Sequence, residues 1–397
     1  MANISKYPLV SYQPFRLLYQ LAAAASIIAR LPVWIVIGLV PSLRPNRQWS
    51  CLQTVVARFL RASLHKDSVI GLGEAETPVP HASPRRGRPL RGRPAVRRAP
   101  VHGAPLLRPL RDPGTRGRHL AAGPSTAVPR RGSKQPEEGG NAHPRRRLRA
   151  RPPAHPGVGL LLSATLLAHA GADAVFSPRY RLSGHGGRNP FPARCRSALT
   201  AYLYLVRGLG LPPQAVTLSG DSAGGNIAVA LLRYLSEHGG ELGVPPPGRV
   251  VLIAPWVAPA ACFPRRPVGE PSVEEMAHYG SDILPASFMQ WGVRTYAPEG
   301  DVEATRDNPY IQALGHPFRA RAPVLVSVGG AEILSTDGAA WAREMVGYEG
   351  GGVNEVEVHI EVDAPHDTLL AGDSLKWEDS AARVAARIGE FIDKTQA

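Results

Sequence analysis

The feature that most constrains this chain is the pentapeptide Gly220-Asp221-Ser222-Ala223-Gly224, which has the pattern G-x-S-x-G. A β-branched run, 215–219, precedes it, and a helix-forming run, 225–235, follows it. Strand, sharp turn and helix are the context in which this pattern exposes a strained serine, and glycines flank the serine because the turn excludes side chains. The N-terminal dipole of the helix favours negative charge at the same place. We therefore expect Ser222 to act as a nucleophile in acyl transfer.

A nucleophilic serine needs a histidine base and an acid that orients the imidazole, and in this architecture both follow it, the acid first. The histidines after the motif are His238, His278, His316, His359 and His366. Only the last two come after the apolar run 323–328, at whose carboxyl end the acid belongs. His359 shares the polar face of the alternating run 356–361, which predicts a solvated strand residue. His366 lies in the loop that follows, so we predict that His366 is the base.

Two acids follow the run 323–328. Glu332 lies closer to the end of the strand, whereas Asp337 is better placed to cap the next helix. We therefore predict Glu332 as the acid. In the resulting unit Ser222 attacks the carbonyl carbon, His366 takes and returns the proton, and Glu332 fixes the tautomer of the imidazole and stabilises its charged form.

Several stretches of the chain resemble the hormone-sensitive-lipase-like group of α/β hydrolases, in a fungal style. These stretches are Gly-Asp-Ser-Ala-Gly-Gly-Asn at 220–226, Tyr180-Arg181-Leu182 with Asn189-Pro190-Phe191-Pro192-Ala193, and Gly330-Ala331-Glu332-Ile333-Leu334. The similarity covers residues 158–397, and more loosely 1–75. It implies an α/β-hydrolase fold, in which a mostly parallel central sheet is flanked by helices and covered by a helical cap.

The same resemblance implies a carboxylic ester hydrolase that acts on small or medium acyl esters. No metal and no organic cofactor is expected. By analogy with fungal members, the ester would be one of a secondary metabolite or a sterol, and the reaction would include deacetylation. The partner expected for the site is therefore a small-molecule ester.

The group completes its oxyanion hole with backbone N–H groups of a His-Gly-Gly-Gly loop upstream of the serine. That string is absent from this sequence. The similar string His185-Gly186-Gly187-Arg188 falls where the group has a surface loop, and we interpret it as a turn. The N–H of Ala223 is then the one donor that can be named, and a lost donor costs about 2.7 to 4 kcal/mol of transition-state stabilisation. A catalytically impaired, ligand-binding protein of the same fold is therefore the alternative function.

The missing loop would fall in a segment of unusual composition. Residues 81–160 hold 19 of the 46 Lys and Arg residues and 14 of the 40 prolines, but only three acids. The net charge of this segment, +16, exceeds the +14 of the whole chain, so the basic character belongs to one segment. It shows neither the period of a strand nor that of a helix. High charge with few branched apolar residues cannot offset the entropy of ordering, so we predict disorder.

Three interpretations of the basic segment stay open. The first is coding sequence translated out of frame, because the segment replaces the loop and the strands that the fold requires and would disrupt the N-terminal part of the sheet. The second is a long natural insertion. The third is a basic arm that binds nucleic acid or anionic lipid. We do not expect a nucleic-acid partner, since the segment contains no Phe, Tyr or Trp to stack on bases.

The sequence predicts three parts of the chain. Residues 1–75 form apolar N-terminal or cap helices, residues 76–157 are the basic segment, and residues 158–397 are the catalytic core with a cap insert at about 257–320. The core is predicted to contain strands at 174–177, 215–219, 249–254, 323–328 and 356–361, and helices at 198–206, 225–235, 338–346 and 378–394. Aromatic and Met residues of the insert are expected to pack under the cap rather than to contact the substrate.

Residues 17–42 are mostly apolar, but Gln20, Arg30 and Pro32 interrupt them. About 20 apolar residues span a bilayer, and an Arg at its centre costs about 2.5 to 3.5 kcal/mol. A helix docked on a membrane surface is the favoured interpretation, and a buried cap helix and a full span are the alternatives.

The chain has three cysteines, and these are Cys51, Cys195 and Cys262. They form neither a framework of paired bridges nor a pattern of metal ligands, which fits a reducing compartment. We expect an intracellular protein, in the cytoplasm or at the endoplasmic reticulum, that is associated with the membrane.

Overall fold

The computed structural model describes residues 7–71, 126–129, 158–263 and 272–396. From residue 193 onward, helices and strands alternate along the chain. The helices are α1 (Phe15–Leu39), α2 (Cys51–Ile70), α3 (Val158–His169), α4 (Ala193–Leu203), α5 (Ala223–Leu242), α6 (Ala286–Tyr296), α7 (Ser335–Val346), α8 (Thr368–Leu375) and α9 (Glu378–Lys394). The strands are β1 (Thr126–Pro129), β2 (Val216–Asp221), β3 (Arg249–Ile253), β4 (Val324–Gly329) and β5 (Val356–Glu361).

Within the described residues the strands form one sheet in the order β1-β2-β3-β4-β5. Strands β2 to β5 are parallel, and β1 is antiparallel to β2. The sheet is therefore mostly parallel, as expected. Its parallel strands place their carboxyl ends, and the loops that follow them, along one edge.

Strand β1 lies inside the basic segment 76–157, where no regular element was expected. Its four residues pair with Val216–Ser219 of β2. The free edge of a strand carries N–H and C=O groups that need partners, and even a short run can supply them. The rest of this segment lies outside the described residues, so its disorder or shifted reading frame stays a prediction.

Strand β3 shows why the parallel strands are apolar on both faces. Val250 and Leu252 belong to the hydrophobic core formed with α4, α5 and α7. Val251 and Ile253 point the other way and belong to the core formed with α3 and α9. Side chains alternate between the two faces of a strand, so helices on both sides bury every residue of β3.

The bounds predicted for β5 and α9 agree with the structure, and β2, β3 and β4 differ from their predicted bounds by one or two residues. Of the predicted strand at 174–177, the structure has a single β-bridge residue, Phe176, and no longer strand. The ring of Phe176 packs 5.9 Å from that of Tyr204, beyond the end of α4.

Helices α2 and α6 cover the sheet edge that carries the carboxyl ends of the strands. Helix α2 begins with a capping box, in which Ser50 Oγ accepts from the N–H of Gln53 and Gln53 Oε1 accepts from the N–H of Ser50. A hydrophobic cluster joins α2, α6 and the loop after β4, and the ring of Trp49 packs 5.0 Å from that of Trp377. The N-terminal residues and the insert thus form one cover, although the exact boundaries of the three parts stay a prediction.

Helix α1 differs from the other long helices because most of its apolar side chains are exposed. By length and composition it could cross a membrane, and only 11% of its most apolar window is buried. Trp34 and Gly38 are its buried residues. Gly38 lies against α2, where a side chain would meet Cys51 Sγ at 2.8 Å. The helix is therefore held to the protein along a narrow strip.

Candidate active site

Ser222 occupies the turn between β2 and α5 with backbone angles φ 51° and ψ −117°. A positive φ is strained for a residue with a side chain, and such strain concentrates at functional sites. Two backbone hydrogen bonds hold the turn: the N–H of Ser222 donates to Ile253 O at 2.9 Å, and the N–H of Trp256 donates to Ser222 O at 3.0 Å. The end of β3 thus fixes the serine, whose side chain is half-buried.

Two glycines make this turn possible. A Cβ on Gly220 would collide with the carbonyl oxygen of Gly224, one turn further on. A Cβ on Gly225 would lie 2.8 Å from Pro255 Cα. Close approach of the backbone therefore requires glycine at 220, the first glycine of the pattern, and at 225, the residue just after the pattern.

The N–H of Ala223 is available beside the serine. Ala223 is the first residue of α5, and the first N–H groups of a helix have no acceptor within the helix. The first hydrogen bond of this helix runs from Asn226 N to Ser222 O at 3.3 Å. The N–H of Ala223 is therefore placed to donate to an anion next to Ser222, and its role in an oxyanion hole stays a prediction.

Glu332 and His366 come from the loops after β4 and β5 and meet in the interior. Nδ1 of His366 lies 2.7 Å from Oε2 of Glu332, and the two residues are 5% and 0% exposed. The other carboxylate oxygen, Oε1, accepts from Gly329 N at 2.9 Å. When Glu332 is ionised it can only accept hydrogen bonds, so the proton of the pair then lies on Nδ1 of His366. Nε2 then remains for the substrate or for a nucleophile.

Burial raises the pKa of Glu332 to about 8, because the carboxylate loses its hydration, and the hydrogen bond from Gly329 opposes this rise. The bond from the imidazole adds a second donor to the same carboxylate. The charge of Glu332 is thus stabilised by two donors, the N–H of Gly329 and the imidazole of His366.

The structure brings Glu332 and His366 together, but it does not join them to the serine by a direct bond. Among the described residues, no hydrogen bond links Ser222 Oγ to His366. Such bonds are often long in a site without substrate and shorten when the substrate binds. The roles of all three residues therefore stay predictions.

Asp282 is a buried residue of this site that the sequence analysis missed. Its Oδ2 accepts from Ile333 N at 2.6 Å and its Oδ1 from Leu284 N at 3.2 Å. Burial raises the pKa of Asp282 to about 6, and the nearby His366 opposes this rise. No spacing in the sequence signals this residue, because it reaches the site from the cap, 50 residues before Glu332.

Asp282, Glu332 and His366 offer ligand atoms that all lie within 4.8 Å of one another. Distance alone would allow a cation between them. Both oxygens of Asp282 and both oxygens of Glu332 already accept hydrogen bonds, however. The arrangement is that of a hydrogen-bonded acid and imidazole with a second carboxylate, Asp282, that fixes the backbone of the acid loop.

The other candidate residues from the sequence lie in other parts of the fold. His359 is in mid-strand on β5 and its Nδ1 lies 3.0 Å from Ser327 Oγ of the neighbouring strand. Asp337 lies in the first turn of α7. The string 185–188 forms a turn closed by a bridge between Gly184 and Arg188, and His185 Nε2 accepts from the indole of Trp291 at 3.0 Å.

The N-terminal residues hold the loop that carries His366. The indole N–H of Trp49 donates to Asp363 O at 2.7 Å, and Asn46 Nδ2 donates to Asp363 Oδ1 at 2.8 Å. Asp363 has a φ of 58°, so these bonds stabilise a strained turn three residues before the histidine. Trp49 is 1% exposed, which shows how firmly this contact is packed.

Several known proteins are similar to this chain in sequence. The sequence profile of the α/β hydrolase fold family matches residues 163–370. An acetyl-hydrolase of Streptomyces hygroscopicus is 44% identical over 101 residues, which cover 25% of this chain and 30% of that protein. An ethyl acetate hydrolase of Pseudomonas putida is 30% identical over 218 residues, which cover 54% of this chain and 61% of that protein.

A solved esterase structure from the bacterial hormone-sensitive lipase family also matches, with 26% identity and a TM-score of 0.47, over 60% of this chain and 71% of that one. The chain spans less than two thirds of the length of the two curated relatives, and these bacterial proteins do not establish the fungal type. The match of the family profile covers more than half of the 397 residues and includes the serine turn, the acid and the histidine. The chain therefore belongs to the α/β hydrolase fold family.

Proposed function

We propose that the protein is a serine carboxylic ester hydrolase, an esterase or deacetylase, with Ser222, His366 and Glu332 as its catalytic residues. The observation that carries the proposal is the buried 2.7 Å bond between His366 and Glu332, at the sheet edge where Ser222 is held at a positive φ. The names of the two curated relatives support small acyl esters, acetyl esters first, as the substrate class. An acetylated secondary metabolite or a sterol ester is the finer proposal for a natural substrate.

We assign a role in this reaction to each of the three side chains. Ser222 Oγ attacks the carbonyl carbon of the ester, and Nε2 of His366 takes the hydroxyl proton and passes it to the leaving alcohol. Glu332 holds Nδ1–H, so it fixes the tautomer and stabilises the imidazolium ion that forms. A water molecule then resolves the acyl-enzyme by the same proton transfers in reverse. The half-buried serine is the group that a substrate can reach.

The N–H of Ala223 would stabilise the oxyanion of the tetrahedral intermediate. A second donor would come from the basic segment upstream of the serine, and most of that segment lies outside the described residues. The alternative function, a hydrolase-like binding protein with impaired catalysis, follows from the absence of the His-Gly-Gly-Gly string. The two functions differ in whether Ser222 is activated.

Covalent labelling with a fluorophosphonate probe tests that difference directly. The probe reacts with an activated serine whatever the natural substrate is, so we expect labelling of the full chain at Ser222 and turnover of p-nitrophenyl acetate. Both should be lost in Ser222→Ala. Labelling that persists in Ser222→Ala, or a folded protein that is never labelled, would contradict the esterase proposal, and the second result would favour the binding protein.

We also propose that the exposed face of α1 contacts a membrane surface and that the protein is intracellular, in the cytoplasm or at the endoplasmic reticulum. Leu18, Ile28, Val36 and Leu39 are each more than half exposed on this helix. Arg30 donates to Ser26 O at 3.0 Å and its guanidinium lies 5.3 Å from the Trp34 ring centroid, so its charge is partly satisfied locally. A helix of this kind suits insertion into the surface region of a membrane, because its exposed face is apolar and its one charged residue there, Arg30, has partners within the helix.

Flotation with phospholipid vesicles tests the membrane contact. We expect the full chain to float, and the triple variant Leu18→Glu, Ile28→Glu, Val36→Glu to stay in the dense fraction. The control variant carries Thr200→Glu, Gln214→Glu and Ser374→Glu, which add the same charge at exposed positions away from α1. This control should float. Equal flotation of the two variants would rule out the exposed face of α1 as the contact.

A further inference from the structure

The proposed reaction leaves two buried carboxyl groups without a role. Asp221 directly precedes Ser222, and Asp367 directly follows His366. They are 1% and 5% exposed. The Oδ2 atom of each is buried and receives no hydrogen bond from any N–H or O–H of the described residues. The two carboxyl groups lie within hydrogen-bonding reach of each other, so they face each other between the serine turn and the histidine loop.

Two buried carboxylates this close cannot both be ionised, because each would lack hydration and repel the other. A single proton between the Oδ2 atoms solves both problems. It removes one charge, and it gives each orphaned oxygen a hydrogen-bond partner. Buried polar atoms are almost always paired, so the two unpaired atoms themselves point to this proton.

We propose that Asp221 and Asp367 share one proton and thereby hold the serine turn against the histidine loop, as positioning residues of the esterase reaction. The inference rests on the function proposed above. It goes beyond it because neither residue touches the ester. Their bond would set the distance between Ser222 and His366, which come from different strand ends.

The surroundings decide which residue carries the proton. Asp367 faces His366 and Glu332, and a positive imidazole favours its carboxylate form. Asp221 faces Tyr180 and the carboxyl group of Asp367, and no cation is among the groups that act on it. Burial raises the pKa of Asp221 well above its ordinary value, but that of Asp367 only to about 6. Asp221 therefore donates and Asp367 Oδ2 accepts.

The other oxygen of Asp367 already has a structural task. Oδ1 caps α8 by accepting from Leu370 N at 3.1 Å, and the residue has a φ of 54°. A capping role explains why an Asp or Asn side chain is suited to position 367, but it uses only Oδ1 and leaves Oδ2 without a partner. The shared proton accounts for the second oxygen and for the acid at position 221 together.

The test compares Asp221→Asn with Asp221→Leu. An Asn side chain donates to Asp367 Oδ2 at every pH, whereas Leu has a similar size and no donor. In the wild type we expect kcat/KM for p-nitrophenyl acetate to fall on the alkaline side as the pair loses its proton. In Asp221→Asn the decrease of kcat/KM at alkaline pH should be absent, and its pH dependence on the acid side should match that of the wild type. Asp221→Leu should lower kcat/KM about 10- to 100-fold, because a buried acceptor is left unpaired.

A control is needed for the change of charge itself. Asp373→Asn removes the same charge from the partly exposed surface of α8 and should keep the alkaline fall of the wild type. Superimposable pH profiles of the wild type and Asp221→Asn would overturn the proposal. So would equal activity of folded Asp221→Leu and Asp221→Asn.

A second readout does not depend on activity or on the folding of Asp221→Leu. The infrared difference spectrum, wild type minus Asp221→Asn at neutral pH, should contain the C=O band of one protonated carboxylic acid. Absence of that band would overturn the shared proton. If the fluorophosphonate probe fails to label Ser222 while the band is present, the esterase function has failed and the carboxyl pair has not, so the two failures are distinguishable.

Discussion

Among the described residues, two sets of serine, histidine and glutamate lie in the sheet or in the loops that follow its strands, and we compare the candidate site with the other set. In the middle of the sheet, Ser327 Oγ lies 3.0 Å from Nδ1 of His359, whose Nε2 lies 3.8 Å from Glu361. At the carboxyl edge, His366 is bonded to Glu332 at 2.7 Å and no such bond reaches Ser222 Oγ. The set with the closer serine–histidine contact is thus the one away from the site.

Position in the backbone explains the difference. Ser327 is 3% exposed and lies in regular strand β4, paired in register with His359 of β5. Ser222 stands at a strand end at positive φ, half-buried, with the free N–H of Ala223 beside it. A nucleophile needs access to the substrate and a donor for the oxyanion as well as a base. A serine–histidine hydrogen bond alone is therefore a poor indicator of a catalytic site.

The two acids differ as well. Glu361 forms an ion pair with Arg383, so its charge is neutralised whatever His359 does. Glu332 is fully buried and paired with His366. Among the described residues, the imidazole of His366 is the one side chain bonded to the carboxylate of Glu332, and such a pairing of acid and imidazole is what general-base catalysis uses.

The largest expected difference in activity is between the alanine variants of the two serines. Ser222→Ala should lower kcat by about a million-fold, because the nucleophile itself is removed. Ser327→Ala should leave kcat/KM within about threefold, since it changes one hydrogen bond away from the site. Steady-state hydrolysis of p-nitrophenyl acetate measures both. A comparable loss in Ser327→Ala would erase the distinction between the sets.

The two acids come next. Glu332→Gln should lower kcat about 10,000-fold, because an amide no longer enforces the Nδ1–H tautomer or stabilises the imidazolium ion. Glu361→Gln should have a far smaller effect, although it breaks the ion pair with Arg383. Fluorophosphonate labelling rates and kcat provide two independent measurements. If Glu332→Gln retained most of its activity, Asp282 would be the acid to examine.

The pH dependence of stability separates Glu332 from an exposed acid. Its pKa, raised by burial to about 8, lies above the ordinary 4.5, so the folded state holds more protons between these values. The free energy of unfolding therefore falls as pH rises across this window, by up to about 1.4 kcal/mol per pH unit. Glu332→Gln should flatten this slope in urea unfolding. An unchanged slope would mean that Glu332 does not titrate in this range.

Glu357 on β5 is the matched control with the opposite sign. Its hydrogen bond to Lys394, with burial opposing and Arg387 adding to it, lowers the pKa of this acid. The unfolded chain then holds more protons near the ordinary pKa, so stability is lost as pH falls. Glu357→Gln should flatten the acid side of the curve and leave the alkaline side unchanged.

The smallest effects concern the backbone at the two serines. Ser222→Gly should raise the free energy of unfolding by about 1 kcal/mol, because glycine tolerates a positive φ. Ser327→Ala should lower it by about 1 kcal/mol, because His359 loses a hydrogen-bond partner. Urea unfolding at one neutral pH compares them. A loss of stability in Ser222→Gly would show that the turn is not strained.

Much of this site could be predicted because its residues follow strands that are apolar and regular. The turn around Ser222 and the loops with Glu332 and His366 lie at strand ends that the β-branched runs predict. Asp282 could not be found in this way, because the fold of the cap brings it to the site.

The bond between Trp49 and Asp363 has a practical consequence for work with this protein. A shortened polypeptide that begins after α2 would be easier to purify, because it lacks the exposed apolar side chains of α1. It would also lack the indole that braces the turn before His366. Weak turnover by such a truncated sample would then report damage to the histidine loop rather than the capacity of the native enzyme.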